Sequence, residues 1–342
     1  MKRRRLLQQL SLLPLAPALA FRNSAPLHKR RKPKRLQKGD TIGLITPGSS
    51  ISDEGLQKAV TNIESLGFQV KLGTHVRAER GYNAGTDAQR LSDLHQMFED
   101  WQVAGIWCVR GGYGCTRLLP KVDFKLIKKN PKIFIGYSDI TALHHAIFTQ
   151  TGLICFHGPV GASDFNAYTV EQLKAVLVEG RAPFTISLAA AGVSEEPVEA
   201  AAKTYIGGAA AGQLAGGNLS LLSAMQGTPF ALDAKDKLLF LEEVGEKPYR
   251  VDRMLTQLRQ SARLDKAAGF ALGIFNDCEP DEDDRSLSLE ETLKDRLQDL
   301  SKPTMYGLPF GHIQQMCTLP IGINARLDTN RKTLTLLESA VS

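Results

Sequence analysis

Ser138 stands in Gly136-Tyr-Ser-Asp139, between an apolar run (Lys132 to Ile135) and a helical stretch (Ile140 to Gln150). A serine on a sharp strand-to-helix turn is exposed as a nucleophile, and the N–H groups of the helix start face the oxyanion its attack creates. The hydrolase pattern puts a second glycine two residues after the serine, where this chain has Ile140, so Ser138 also reads as a helix N-cap. Arg110-Gly-Gly-Tyr-Gly114 carries three glycines, which let a backbone approach a bound group and adopt positive φ. Such a loop supplies an oxyanion N–H, from Gly112, or cradles a phosphate, although the P-loop spacing is absent.

A serine nucleophile needs a base, and the base needs an orienting carboxylate. Two of the seven histidines lie in Gly/Pro loop settings of the kind that present catalytic groups: His157, before Gly158-Pro159, and His312, in Leu308-Pro-Phe-Gly-His312. Loop placement does not separate them. His144 and His145, on the helix after Ser138, read as surface or packing residues. Glu242 and Glu243 follow the apolar run Leu238–Leu241, and a period of two sends them to opposite faces, so only one can face a site. Asp281-Glu-Asp-Asp284 lacks spaced His or Cys partners and reads as a solvated loop rather than a metal site.

The elements that must hold these residues alternate strand and helix. Thr41–Thr46 is a buried strand turning at Pro47-Gly48-Ser49-Ser50, and Leu56, Ala59, Val60, Ile63 and Leu66 recur with a helical period. Phe68–Leu72, Gly105–Val109, Lys132–Ile135 and Leu153–Phe156 follow as strands, with helices at Asp87–Trp101, Asp123–Lys129 and Ile140–Gln150. That rhythm predicts a parallel α/β sheet, whose sites lie at the carboxyl ends of its strands. Residues 160–205 break the rhythm with Ala-rich stretches, Pro183 and Pro197. A second, mixed α/β unit follows, with a helix from Gly216-Gly-Asn218 through Met225, strands Lys237–Leu241 and Phe270–Phe275, and a capping box at Ser288-Leu-Glu-Glu291. The expected organisation is a leader and basic linker (1–36), an N-terminal domain (37–165), a connector (166–205) and a C-terminal domain (206–342).

The 342 residues are 43% hydrophobic and 23% charged, a globular composition with core enough for about two domains. No run approaches the roughly 20 apolar residues of a spanning helix. The first 38 residues hold twelve Lys and Arg and no acid, so the net charge of +6 leaves −6 on the remainder. A nucleic-acid enzyme would need its basic patch on the folded body, so that class is disfavoured. Lys2–Arg5, the apolar stretch Leu10–Leu19 and Ala18-Leu-Ala20 have the layout of an export signal, and the arginine pair before x-Leu-Leu-Gln resembles a twin-arginine signal. The alternative is a basic tail on a cytoplasmic protein. Residues 22–38 read as a solvated linker. The five cysteines form no CxxC, which fits buried thiols better than a disulfide framework.

Taken in order, Gly39-Asp-Thr-Ile-Gly-Leu-Ile-Thr-Pro47, Arg110-Gly-Gly-Tyr-Gly114, Gly136-Tyr-Ser-Asp139, Leu239-Phe-Leu-Glu-Glu243 with Tyr249-Arg-Val-Asp-Arg253, and Gly307-Leu-Pro-Phe-Gly-His312 resemble the LD-carboxypeptidase family of serine peptidases, over about residues 37–340. The resemblance implies a Ser138–His312–Glu242 triad, with Glu243 the alternative acid, oxyanion donors at the backbone of Gly112 and Asp139, and no metal or other cofactor. Arg110, Tyr113 and Arg253 are its candidates for substrate binding. It implies a flavodoxin-like N-terminal domain and a smaller swivelling β/α C-terminal domain, usually in a homodimer. The implied reaction removes the terminal D-Ala from murein tetrapeptide in cell-wall turnover or recycling. A branch of the family hydrolyses microcin-type peptidyl-nucleotides, and a non-catalytic muropeptide-binding module on the same scaffold is a further alternative. Export would place the reaction in the periplasm or beyond, where most such enzymes work in the cytoplasm.

Overall fold

A computed structural model describes residues 29–186 and 202–342. The expected leader, residues 1–20, and the 187–201 part of the expected connector lie outside the described residues. Elements are numbered here in chain order. In the first sheet, β1 (Thr41–Ile45), β2 (Gln69–Leu72), β3 (Val103–Cys108), β4 (Ile133–Gly136) and β5 (Cys155–His157) are parallel, in the order β2-β1-β3-β4-β5. That is the flavodoxin-like winding, which reverses direction beside β1 and opens a crevice at the strand ends. A late strand, β12 (Leu319–Ile321), adds antiparallel to β5, so the C-terminal half completes the first sheet.

Helices α1 (Asp53–Ser65), α2 (Asp87–Glu99), α3 (Phe124–Lys129) and α4 (Thr141–Thr151) make the crossovers. Their starts follow local chemistry: Ser52 caps α1, and Thr86 and Gln89 form a capping box on α2. The strands bury Ile42, Leu44, Ile106, Phe134 and Ile135 completely, as expected of a parallel sheet covered on both faces.

The second sheet has the order β6-β14-β13-β8-β9-β10-β11-β7. Its centre is parallel: β8 (Ala209–Asn218), β9 (Lys237–Val244), β10 (Gly269–Asn276) and β11 (Thr304–Tyr306). Antiparallel strands flank it: β6 (Phe184–Ile186), β7 (Lys203–Ile206), β13 (Asn324–Asp328) and β14 (Thr333–Leu336). Its helices include α6 (Leu219–Ala224), α7 (Pro248–Ser261) and α8 (Leu289–Leu297), the last opened by the Ser288–Glu291 capping box. The stretch expected to connect the domains carries helix α5 (Ala167–Leu173) and strand β6, so its described part is built into the fold.

Residues 22–28 of the expected basic linker lie outside the described residues; its described part, residues 29–38, differs from the expected solvated state. Arg31 N–H donates to Gly152 O (2.8 Å) and Arg31 O accepts from Ile154 N–H (2.9 Å), continuing the first sheet by one bridge. Arg35 N–H donates to Ser342 O, Ser342 N–H donates to Pro33 O, and Leu36 N–H donates to Leu177 O. Arg30 and Lys32 both pair with Glu338. Leu36 is 1% exposed. Backbone hydrogen bonds and one buried leucine, neither visible in a charge count, dock this strap. Leu36→Ala should lower unfolding stability by about 2–5 kcal/mol, read as a fall in urea midpoint. An unchanged midpoint would mean that the strap is undocked in solution.

Candidate active site

Strand β4 delivers Gly136, and the chain turns through Ser138–Ile140 as one 3-10 turn before α4 begins. Ser138 sits at φ 64°, in the left-handed region. A non-glycine residue held there carries about 1–3 kcal/mol of strain, and the turn aims the side chain away from the helix. Ser138 therefore does not cap α4; its hydroxyl lies 3.1 Å from His312 Nε2. On the other side of that ring, Nδ1 lies 2.9 Å from Glu242 Oε2. With Nδ1–H donating to Glu242, Nε2 accepts from the Ser138 hydroxyl, and a single tautomer satisfies both bonds.

Glu242 is fully buried near the end of β9 and His312 is 21% exposed at its side chain. His312 follows Gly311, whose φ is 121°. A side chain at Gly311 would start 3.3 Å from Glu242 Cβ and 2.8 Å from Ile274 O, so glycine is needed for the loop to come down on Glu242. The Tyr137 ring stands edge-on to the His312 ring at 4.9 Å. The serine thus comes from the first sheet, and the imidazole and carboxylate from the second.

The two glutamates do point apart. Glu243 accepts from Asn218 Nδ2 (3.0 Å), Ser220 N–H (2.7 Å) and Val244 N–H (2.9 Å). It ties the start of α6 to β9, and burial lifts its carboxyl above the ordinary range. Glu242 alone reaches His312.

The glycine loop after β3 faces Ser138. Gly112 has φ 94°, and a side chain there would start 2.3 Å from Ser49 Oγ; one at Gly111 would start 2.9 Å from Ser138 Cβ and 3.3 Å from Asp139 N. Ser49 N–H donates to Gly111 O (3.0 Å), and Ser49 Oγ accepts from Tyr113 N–H (3.1 Å). The loop's backbone therefore lies against the turn that carries Ser138 and the Asp139 N–H. Ser49 was not singled out by sequence reasoning as a site residue. Its signal was the small-residue turn at the end of β1, the same strand end where a parallel sheet gathers its sites.

Arg110 is exposed on this loop, with Nη1 donating to Ser50 O (2.9 Å). Tyr113 is 53% exposed and packs edge-on against Tyr82 at 5.3 Å. Arg253 is exposed on α7. Among the described residues, the hydrogen bonds of Ser138, His312 and Glu242 involve neither arginine. Asp281–Asp284 is an exposed run, with Asp281 paired to Lys247.

His144, His145 and His157 are packing residues. His145 is buried, with Nε2 2.9 Å from Gly216 O in the other domain, and His144 is buried edge-on to Phe134. His157 ends β5, fully buried among Tyr137, Phe240 and Phe310. Burial depresses its imidazole to about 4, and its ring does not reach Ser138. All five cysteines are free and buried, as their spacing suggested.

A hydroxyl, an imidazole and a carboxylate bonded in series, at the strand ends of an α/β fold, have the arrangement of a serine-hydrolase site. The sequence matches the model of the LD-carboxypeptidase N-terminal domain over residues 42–158 and that of the LD-carboxypeptidase C-terminal domain over residues 211–327. It is 42% identical to a probable murein peptide carboxypeptidase of Bacillus subtilis, across 91% of this chain and 95% of that protein. It is 37% identical to the murein tetrapeptide carboxypeptidase of Pseudomonas aeruginosa, across 85% and 94%. The structure superposes on that of the microcin C7 self-immunity protein MccF with a TM-score of 0.83, covering 91% of this chain and all of the other at 24% identity; that likeness shows the fold. The chain belongs to the LD-carboxypeptidase family and is a serine-type carboxypeptidase.

The buried His157 sets an acid limit on stability. Its folded pKa of about 4 lies below the ordinary imidazole value of 6.5, so between those values the unfolded chain binds the extra proton and stability falls as pH falls. The slope from this residue is at most about 1.4 kcal/mol per pH unit, and the depressed His144 and His145 act in the same direction. His157→Phe, in an aromatic nest, should give a shallower loss of urea midpoint between pH 6.5 and 4.5 than the unmodified protein. An equal loss would assign the acid sensitivity elsewhere.

Proposed function

We propose that this enzyme removes the C-terminal D-alanine of murein tetrapeptide, hydrolysing the L,D-bond after the diamino acid through an acyl-enzyme on Ser138. The observation that carries the reading is the Glu242–His312–Ser138 series of hydrogen bonds, at 2.9 and 3.1 Å, in a chain whose relatives bear murein peptidase names.

His312 Nε2 takes the hydroxyl proton as Ser138 Oγ attacks the scissile carbonyl. The backbone N–H groups of Gly112 and Asp139 hold the oxyanion that forms. Glu242 keeps Nδ1 protonated and stabilises the imidazolium. As the tetrahedral intermediate collapses, His312 gives its proton to the nitrogen of the departing D-alanine. Water, deprotonated by the same imidazole, then hydrolyses the ester and restores the hydroxyl. A terminal carboxylate on the substrate calls for a cation; Arg110, next to Gly111 on the oxyanion loop, and Arg253, exposed on α7, are the candidates, and Tyr113 stands on the same loop as Arg110.

A peptidyl-nucleotide substrate is the second reading, favoured by the fold shared with a microcin self-immunity protein. The intact hydrogen-bonded series speaks against a non-catalytic binding module. The export-like N-terminus, Lys2 to Ala20, supports action outside the cytoplasm on the wall or on released muropeptides, and the family resemblance supports a homodimer.

Mass spectrometry of purified murein tetrapeptide incubated with the enzyme should show loss of one alanine. Ser138→Ala should lower kcat on the order of 10⁶-fold while leaving the fold intact. No loss with the unmodified protein, but cleavage of an aspartyl sulfamoyl adenosine-type substrate, would move the assignment to the second reading. Turnover retained by Ser138→Ala would remove Ser138 as nucleophile. Glu242→Gln should cost about 10⁴-fold in kcat, as when a triad acid no longer sets the tautomer. Glu243→Gln should act chiefly on stability, and a reversed ranking in kcat would exchange the two roles.

A further inference from the structure

The oxyanion loop has little stiffness of its own. Gly111, Gly112 and Gly114 make up three of the five residues from Arg110 to Gly114, and Gly112 and Gly114 both have positive φ, at 94° and 121°. Glycine leaves a loop more backbone freedom than any other residue, yet an oxyanion donor works only if it is already in place when charge develops. The loop must therefore be held from outside. On one side Ser49 does so, through Gly111 O and the Tyr113 N–H.

On the other side stands the carboxylate of Asp139, the residue after the proposed nucleophile. It is 2% exposed. Its Oδ2 accepts from Cys115 N–H at 2.9 Å. That donor lies two residues after Tyr113, at the end of the glycine loop. A side chain on Gly48 would start 2.3 Å from Gly111 O and 3.1 Å from Asp139 Oδ2, so the β1 turn, the oxyanion loop and this carboxylate are in close contact. Arg90 lies beneath the same loop: it is 2% exposed, its Nη1 donates to Pro47 O (2.7 Å), and a side chain on Gly114 would start 2.7 Å from that Nη1.

We infer that the Asp139 carboxylate is a positioning group that ties the Gly112 loop to the Ser138 turn, so that one residue supplies an oxyanion N–H and sets the place of the other. The inference rests on the acyl-enzyme reading above but not on the identity of the substrate. The backbone of Asp139 meets the oxyanion, while its side chain acts through the loop. A nucleophile turn and an oxyanion loop drawn from different strands, β4 and β3, are thereby kept at one spacing.

The test compares the unmodified enzyme with Asp139→Asn, which keeps the shape but replaces one acceptor oxygen by a donor. On tetrapeptide, kcat should fall on the order of a hundredfold, the scale of losing one oxyanion donor, with KM changed less than about threefold and an unaltered circular dichroism spectrum. Labelling of Ser138 by a fluorophosphonate, which needs the oxyanion site but no particular peptide, should slow in parallel. If Asp139→Asn does not fold, Asp139→Glu replaces it; it keeps the charge but moves the acceptor away from Cys115 N–H and should produce the same kcat-selective loss. A folded variant with unchanged kcat and labelling rate, or one whose loss lies in KM alone, overturns the inference. If the unmodified enzyme leaves tetrapeptide intact but labels at Ser138 and the variant labels slowly, the proposed substrate fails and the tether stands.

Discussion

The 3.1 Å contact between Ser138 and His312 is made across a domain boundary, and the rest of the structure answers to that. A hydrogen bond of this kind weakens steeply with small displacements, so two sheets must keep register to a fraction of an ångström. The helix behind the serine provides this. Thr141, at the first position of α4, accepts from Asn218 N–H at 3.1 Å, and His145, one turn on, lies 2.9 Å from Gly216 O. Both partners belong to the end of β8, next to the strand that carries Glu242. A side chain at Gly217 would start 2.6 Å from Thr141 Oγ1, and one at Gly216 1.8 Å from Phe240 O. Gly217 is what allows the second sheet to come this close to the helix that begins at the serine turn, while Gly216 lets β8 lie against β9.

The same closeness decides how charge is managed. Two adjacent carboxylates near the end of β9 are both buried, and a buried carboxylate is costly unless bonded. Glu243 meets that cost with three donors of its own domain. Glu242 has the His312 ring, whose Nδ1–H also fixes the tautomer the proposed mechanism needs. The neighbouring His157 is kept neutral by burial among aromatic rings, so it puts no charge of its own beside Glu242. Burial sorts four titratable groups within one small region into a bonded pair, a structural carboxylate and an inert imidazole.

Much of this was legible in the residues. The apolar runs at Ile42–Ile45 and Ile133–Ile135, and the turns that follow them, gave the parallel sheet and the serine's place at its edge. The opposition of Glu242 and Glu243 follows from strand pleating, but which one faces the site depends on the face against which the other domain packs, and that is a tertiary fact. His157 and His312 look alike in sequence because Gly and Pro follow or precede both. They differ in that β12 pairs with His157's strand and seals it. The 29–36 strap was misread because its charges are conspicuous and its backbone hydrogen bonds have no sequence signature. The Asp139 side chain has no sequence signature of its own, because its partner, Cys115 N–H, lies in a loop 24 positions away.

The strap also bears on how the molecule can be built. Its residues touch both ends of the fold: Arg31 extends the first sheet beside Leu153, while Arg30 and Lys32 meet Glu338, four residues from the C-terminal Ser342. The amide of Ser342 itself donates to Pro33 O. Docking the strap therefore requires residues 338–342, some 308 positions on in the sequence, and is a long-range closure rather than a local one. Burial governs the thiols as well: desolvation raises the pKa values of Cys108, Cys115, Cys155, Cys278 and Cys317 and so suppresses the thiolate that oxidation requires.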